Sequence, residues 1–117
     1  MSKRNNTLLI DDIVQSINKI FTYTSLLSKD EFLTDNKTQD AVSRNFEIIG
    51  EASSRLSKEF KETHSEINWT KLKDFRNKII HDYFGTDYST VWLIIKNDLK
   101  ILQEKLTGIL KKISEVS

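Results

Sequence analysis

The chain contains no proline, no cysteine and only three glycines among its 117 residues. Without cysteine there are no disulfides and no thiolate zinc sites, which points to a reducing compartment. Gly50, Gly85 and Gly108 stand far apart, which excludes the phosphate-cradling loops of nucleotide-binding strand–turn–helix units. Two histidines, His64 and His81, are too few for a His-rich metal site, and neither a metal nor a cofactor is expected. The longest apolar run, Val91-Trp92-Leu93-Ile94-Ile95, falls far short of the ~20 residues of a membrane span. The amino terminus, Met-Ser-Lys-Arg-Asn-Asn, leads into an acidic amphipathic stretch instead of a signal-peptide apolar segment. These absences predict one domain over residues 1–117, cytoplasmic and away from membranes.

An excess of charge is also missing. Eighteen basic against seventeen acidic residues leave +1, so no global field steers the chain to a polyanion. Any such attraction has to be local. One segment qualifies: Lys71, Lys73, Arg76 and Lys78 gather around a single opposing Asp74. A solvated helix face is the ordinary reading of such a run.

The absence of proline and a 3.6-residue periodicity predict helices throughout. The first spans Leu8 to Leu27, with Leu9, Ile13, Ile17, Ile20 and Phe21 on one side and Asn6 or Thr7 as cap. A polar break at Ser28-Lys29-Asp30 follows. The second runs from Asp35 or Asn36 to about Glu62 and carries Val42, Phe46, Ile49, Leu56 and Phe60. Gly50, Ala52, Ser53 and Ser54 lie between them and predict close approach of another backbone. The third runs from Trp69 to Tyr83 or Phe84, ended by Gly85. The fourth opens near Asp87 or Ser89 and reaches Ile113, with Leu99, Leu102, Leu106, Ile109 and Ile113 at the seam spacing of packed bundles. The predicted fold is all-α, an up-and-down bundle of four to five helices.

The third helix concentrates the chemistry, in Arg76-Asn77-Lys78-Ile79-Ile80-His81-Asp82-Tyr83. Histidine, with an unperturbed pKa of about 6.5, moves protons near neutral pH. Arginine holds a phosphate bidentately and stabilises charge that develops in phosphoryl transfer. RNA supplies its own nucleophile, the 2′-hydroxyl, so a metal-free site needs only these two functions. On a regular helix Tyr83 lies about 20° from Arg76, whereas His81 lies about 140° away. Arg76 and His81 therefore converge only if the helix distorts near Gly85 or if two copies meet across a two-fold axis. His64 reads as solvated surface beside Glu62 and Glu66, and Glu47 and Glu51 as exposed charges without a catalytic role.

Arg76-Asn77-x3-His81 resembles the Arg-polar-x3-His motif of HEPN domains, helical-bundle ribonucleases that usually dimerise. The extension to Tyr83 resembles the HepT branch, the toxin of HepT/MNT-type toxin–antitoxin systems. Ala41 to Ala52, ending in Gly50-Glu51-Ala52, and Ile67-Asn68-Trp69 match the same pattern, so the resemblance covers most of the chain. It implies a dimerising HEPN bundle with a shared cleft lined by both copies of Arg76 and His81. It further implies metal-independent endonucleolytic cleavage of RNA, with His81 in proton transfer, Arg76 on the phosphate and Asn77 in support. Lys71, Lys73 and Lys78 are then expected to contact RNA. The implied partner is a minimal nucleotidyltransferase antitoxin that adenylylates Tyr83, whose bulky charged AMP blocks RNA entry; Tyr88 is the alternative acceptor. The competing reading is a non-catalytic helical module that binds and positions a nucleotidyltransferase.

Overall fold

The computed structural model describes residues 5–81 and 87–116, with positions 76–81 and 116 described by backbone alone. All its regular structure is helical, and no strand occurs among the described residues. Helix α1 (Asn6–Thr24) buries Leu9, Ile10, Ile13, Ile17 and Ile20 on one stripe. Its cap is Asn5, not Asn6 or Thr7: the Asn5 carboxamide oxygen accepts from the Leu8 N–H at 2.9 Å. Asn6 is occupied elsewhere. It donates to the Ser57 hydroxyl and accepts from the Ser57 N–H, both at 3.1 Å.

The expected polar break is itself a helix start. Ser28 and Glu31 form a reciprocal capping box that opens the short α2 (Lys29–Leu33). Its one buried residue, Phe32, packs against the rings of Tyr88 and Trp92. The first helix correspondingly ends at Thr24, short of Leu27.

Helix α3 (Asn36–Arg55) begins where expected, capped by Asp35. It does not continue to Glu62. Leu56 turns into extended backbone, and the Ser57 hydroxyl accepts from the Phe60 N–H to start α4 (Lys58–Thr63). Helix α5 (Trp69–His81) carries the motif. The last rod comprises α6 (Tyr88–Leu93), a π-helical turn (Ile94–Asp98) and α7 (Leu99–Val116), opened by the Asp87 carboxylate.

The long helices close into a four-sided bundle. Helix α3 lies between α1 and α5, α7 packs back on α1, and α5 meets the last rod where Lys71 pairs with Asp98 of the π turn. The seam residues Leu99, Leu106 and Ile109 are buried, and Leu102 and Ile113 pack against the same core. Among the described residues, no helix is long and apolar enough to cross a membrane.

Candidate active site

Three consecutive residues set the start of α5. Ile67 is buried in the core. Asn68 caps the helix, its carboxamide oxygen accepting from the Lys71 N–H at 3.1 Å. The Trp69 indole N–H donates to the carbonyl oxygens of Lys61 and His64, each at 3.1 Å. The Ile67-Asn68-Trp69 signature is thus an anchor, a cap and a pin that fix where α5 begins.

Further along, Leu72 and Phe75 are buried as the periodicity requires. Phe75 meets Phe46 of α3 edge-on, with ring centroids 5.4 Å apart. Phe46, Gly50 and Ser53 share that stripe at helical spacing and are all buried. Gly50 and Ser53 therefore lie on the side that faces the motif helix, whereas Ala52 lines a cavity with Leu9 and Asp12 of α1 and Ser54 is exposed. In Gly50-Glu51-Ala52 the outer two are buried, while Glu51 is half-exposed and pairs with Arg55 at 3.0 Å. Glu47 pairs with Arg44 at 3.4 Å. Both glutamates are engaged along the surface of α3.

Of the basic run, Lys71 and Lys73 have described side chains, and they lie on different faces of α5. Lys71 and Lys73 sit about 160° apart on α5. Lys71 pairs with Asp98 at 3.1 Å and lines a small cavity of about 190 Å³ between α5 and α7, beside Phe75, Ile101 and Leu102. Lys73 instead lines a groove between the end of α3, α4 and the start of α5.

The side chains of Arg76, Asn77, Lys78 and His81 lie outside the described residues, as does all of Tyr83. The backbone nevertheless bears on the 140° question, because positions 76 and 81 both fall inside the continuous helix α5. Tyr88, the alternative acceptor, is half-buried, its hydroxyl 3.1 Å from the Ser43 hydroxyl and its ring edge-on to Phe32.

His64 departs from expectation. Its side chain is only 19% exposed and lies 3.6 Å from Glu66, with its ring 4.5 Å from that of Phe60. It closes α4 against the Trp69 pin and is not free surface. Among the described residues no three His, Cys, Asp or Glu side chains are grouped to hold a metal ion.

This bundle, with a capped and pinned helix bearing Arg76-Asn77-x3-His81, belongs to a class that comparison with known proteins defines. Residues 13–109 match the family described as HepT-like, "Ribonuclease HepT-like". A Thermococcus cleftensis protein named "Probable ribonuclease HepT" is 39% identical, over 93% of this chain and 99% of its own length. A Methanocaldococcus jannaschii protein named "Putative RNase" is 35% identical over 93% of each chain. One with the same designation from Caldanaerobacter subterraneus is 34% identical over 88% of this chain and 92% of its own. No solved structure is significantly similar. The chain belongs to the HepT-like ribonuclease family.

Proposed function

We propose that this chain is a cytoplasmic endoribonuclease that cuts RNA without a metal ion, at a site shared between two copies. The carrying observation is that positions 76 and 81 lie in one unbroken helix, about 140° apart. A single straight helix does not bring both to one phosphate, whereas two such helices related by a two-fold axis do. Family membership supports the activity, and the capped and pinned start of α5 supports a rigid platform for it.

In this reading Arg76 holds the scissile phosphate and Asn77 supports it. His81 takes the proton from the 2′-hydroxyl, the 2′-oxygen bonds to phosphorus, and the P–O5′ bond breaks. A second His81, from the partner copy, returns a proton to the departing 5′-oxygen. The ends left are a 2′,3′-cyclic phosphate and a 5′-hydroxyl. Lys71, Lys73 and Lys78 contact RNA, Lys71 from beside Asp98.

The regulatory half of the proposal is a toxin role, silenced by a nucleotidyltransferase antitoxin. The Tyr83 hydroxyl attacks the α-phosphorus of ATP, pyrophosphate leaves, and the attached AMP obstructs the cleft. The engagement of Tyr88 with Ser43 and Phe32 favours Tyr83 over Tyr88 as acceptor.

Paired induction of wild type and His81→Ala in a host lacking the antitoxin tests the reading. Growth arrest and RNA breakage with wild type alone are expected. Harmless expression of folded wild type would move the assignment to a scaffold that binds a nucleotidyltransferase. For the regulation, mass spectrometry after coexpression with that enzyme is expected to find one AMP on Tyr83, and an unmodified Tyr83 would remove this part of the proposal.

A further inference from the structure

A groove of about 250 Å³ runs between the end of α3, α4 and the first turns of α5, lined by Ser53, Ser54, Lys61, Trp69, Thr70 and Lys73. Two lysines and no carboxylate line it among the described residues, while Glu62 and Glu66 line the adjoining cavity that shares Lys61, Trp69 and Thr70. Elsewhere four described cations have a carboxylate partner. Arg44 faces Glu47, Arg55 faces Glu51, Lys58 faces Glu62 and Lys71 faces Asp98. No described carboxylate lies within ion-pair distance of Lys61 or Lys73.

The available donors narrow the ligand. The Ser53 and Ser54 hydroxyls are spent on the carbonyls of Gly50 and Glu51. That leaves the two ammonium groups and the Thr70 hydroxyl, an arrangement of donors with charge and no fixed planar fork. Such a set suits a phosphodiester, which accepts from any direction, better than a base edge that needs defined partners. The walls are also firm, because the Lys61 carbonyl is held by the Trp69 indole and the groove floor includes the buried Ser53.

Position decides which phosphodiester. On α5, position 76 follows Lys73 by one turn, about 4.5 Å along the axis and about 60° around it. A strand lying in the groove therefore leads to the turn that carries Arg76.

We propose that the groove formed by Lys61, Thr70 and Lys73 seats the backbone of single-stranded RNA beside the cleavage site. This rests on the ribonuclease reading and extends it to α4, where no sequence motif pointed. Lys61 is a positioning contact for substrate, separate from the chemistry of His81.

The test uses the full chain and a single-stranded RNA carrying 2′-O-methyl groups, which binds without being cut. Affinity is read by fluorescence anisotropy across a salt series. Lys61→Ala with Lys73→Ala is expected to weaken binding roughly tenfold and to flatten the salt slope by about 0.7 per lost phosphate contact. Lys100→Ala with Lys111→Ala on α7 removes the same charge elsewhere and is expected to leave affinity within about twofold. Equal losses in the two double variants would overturn the groove, since charge alone would then explain them. So would wild-type affinity in the Lys61/Lys73 variant, with the ribonuclease reading left intact. A wild-type chain that binds no RNA would overturn both.

Discussion

The Trp69 indole N–H donates to two carbonyl oxygens, those of Lys61 and His64, at the end of α4. Phenylalanine in its place keeps the ring and loses both bonds. Trp69→Phe is expected to cost about 1 kcal/mol in denaturant unfolding, with faster amide exchange at the start of α5. Asp35, the cap of α3, offers a pH signature. Its carboxyl is held below its ordinary 3.8, first by the Thr38 hydroxyl and then by the Thr38 N–H. A carboxylate lowered by folding adds stability above its unfolded value and loses it as pH falls through the folded-state value. Asp35→Asn keeps a capping oxygen without the charge. The stability advantage of wild type over Asp35→Asn is expected to shrink as pH falls below the ordinary 3.8 in urea titrations. At this level the sequence was legible in kind and off in detail. Ser28, Asp35 and Asp87 mark boundaries by chemistry alone, and Gly85 lies outside the described residues; yet Asn5, Asn6 and Thr7 are equally good caps, and only packing assigns Asn6 to Ser57.

Helix α7 carries Gly108 on its exposed side, with open space where a Cβ would stand. Gly108→Ala is expected to stabilise the fold by about 0.5–1 kcal/mol, read as a raised urea midpoint with an unchanged slope. The long elements were read correctly because each buries a stripe that periodicity displays. Two breaks were not readable this way. Ile49, Leu56 and Phe60 keep helical spacing across the Leu56–Ser57 corner, so the stripe continues while the backbone does not. Likewise Ile95, inside the π turn, and Leu99, just after it, are both buried, and their four-residue step is the ordinary helical one. Apolar spacing records which residues face the core. It does not record the hydrogen-bond pattern of the backbone between them.

Across the bundle, α3 packs along α5, and the last rod meets α5 where Lys71 pairs with Asp98. The sequence singles out Arg76, His81 and Tyr83 by their chemistry and by the resemblance, and their side chains lie outside the described residues. The contribution of Lys61 was not legible: it lies in a separate helix, and only the fold brings α4 beside Lys73. A shared cleft has a consequence in solution. Sedimentation is expected to give twice the protomer mass of 13.7 kDa, and activity per protomer is expected to fall on dilution below the dimer dissociation constant. The decisive measurement is cleavage of single-stranded RNA in EDTA by wild type and His81→Ala, with matched circular dichroism and sedimentation. Wild type is expected to cut and leave 2′,3′-cyclic phosphate ends, and His81→Ala to be slower by about 10²–10⁴-fold. A variant that cuts at the wild-type rate, or wild-type cleavage abolished by EDTA, would contradict it.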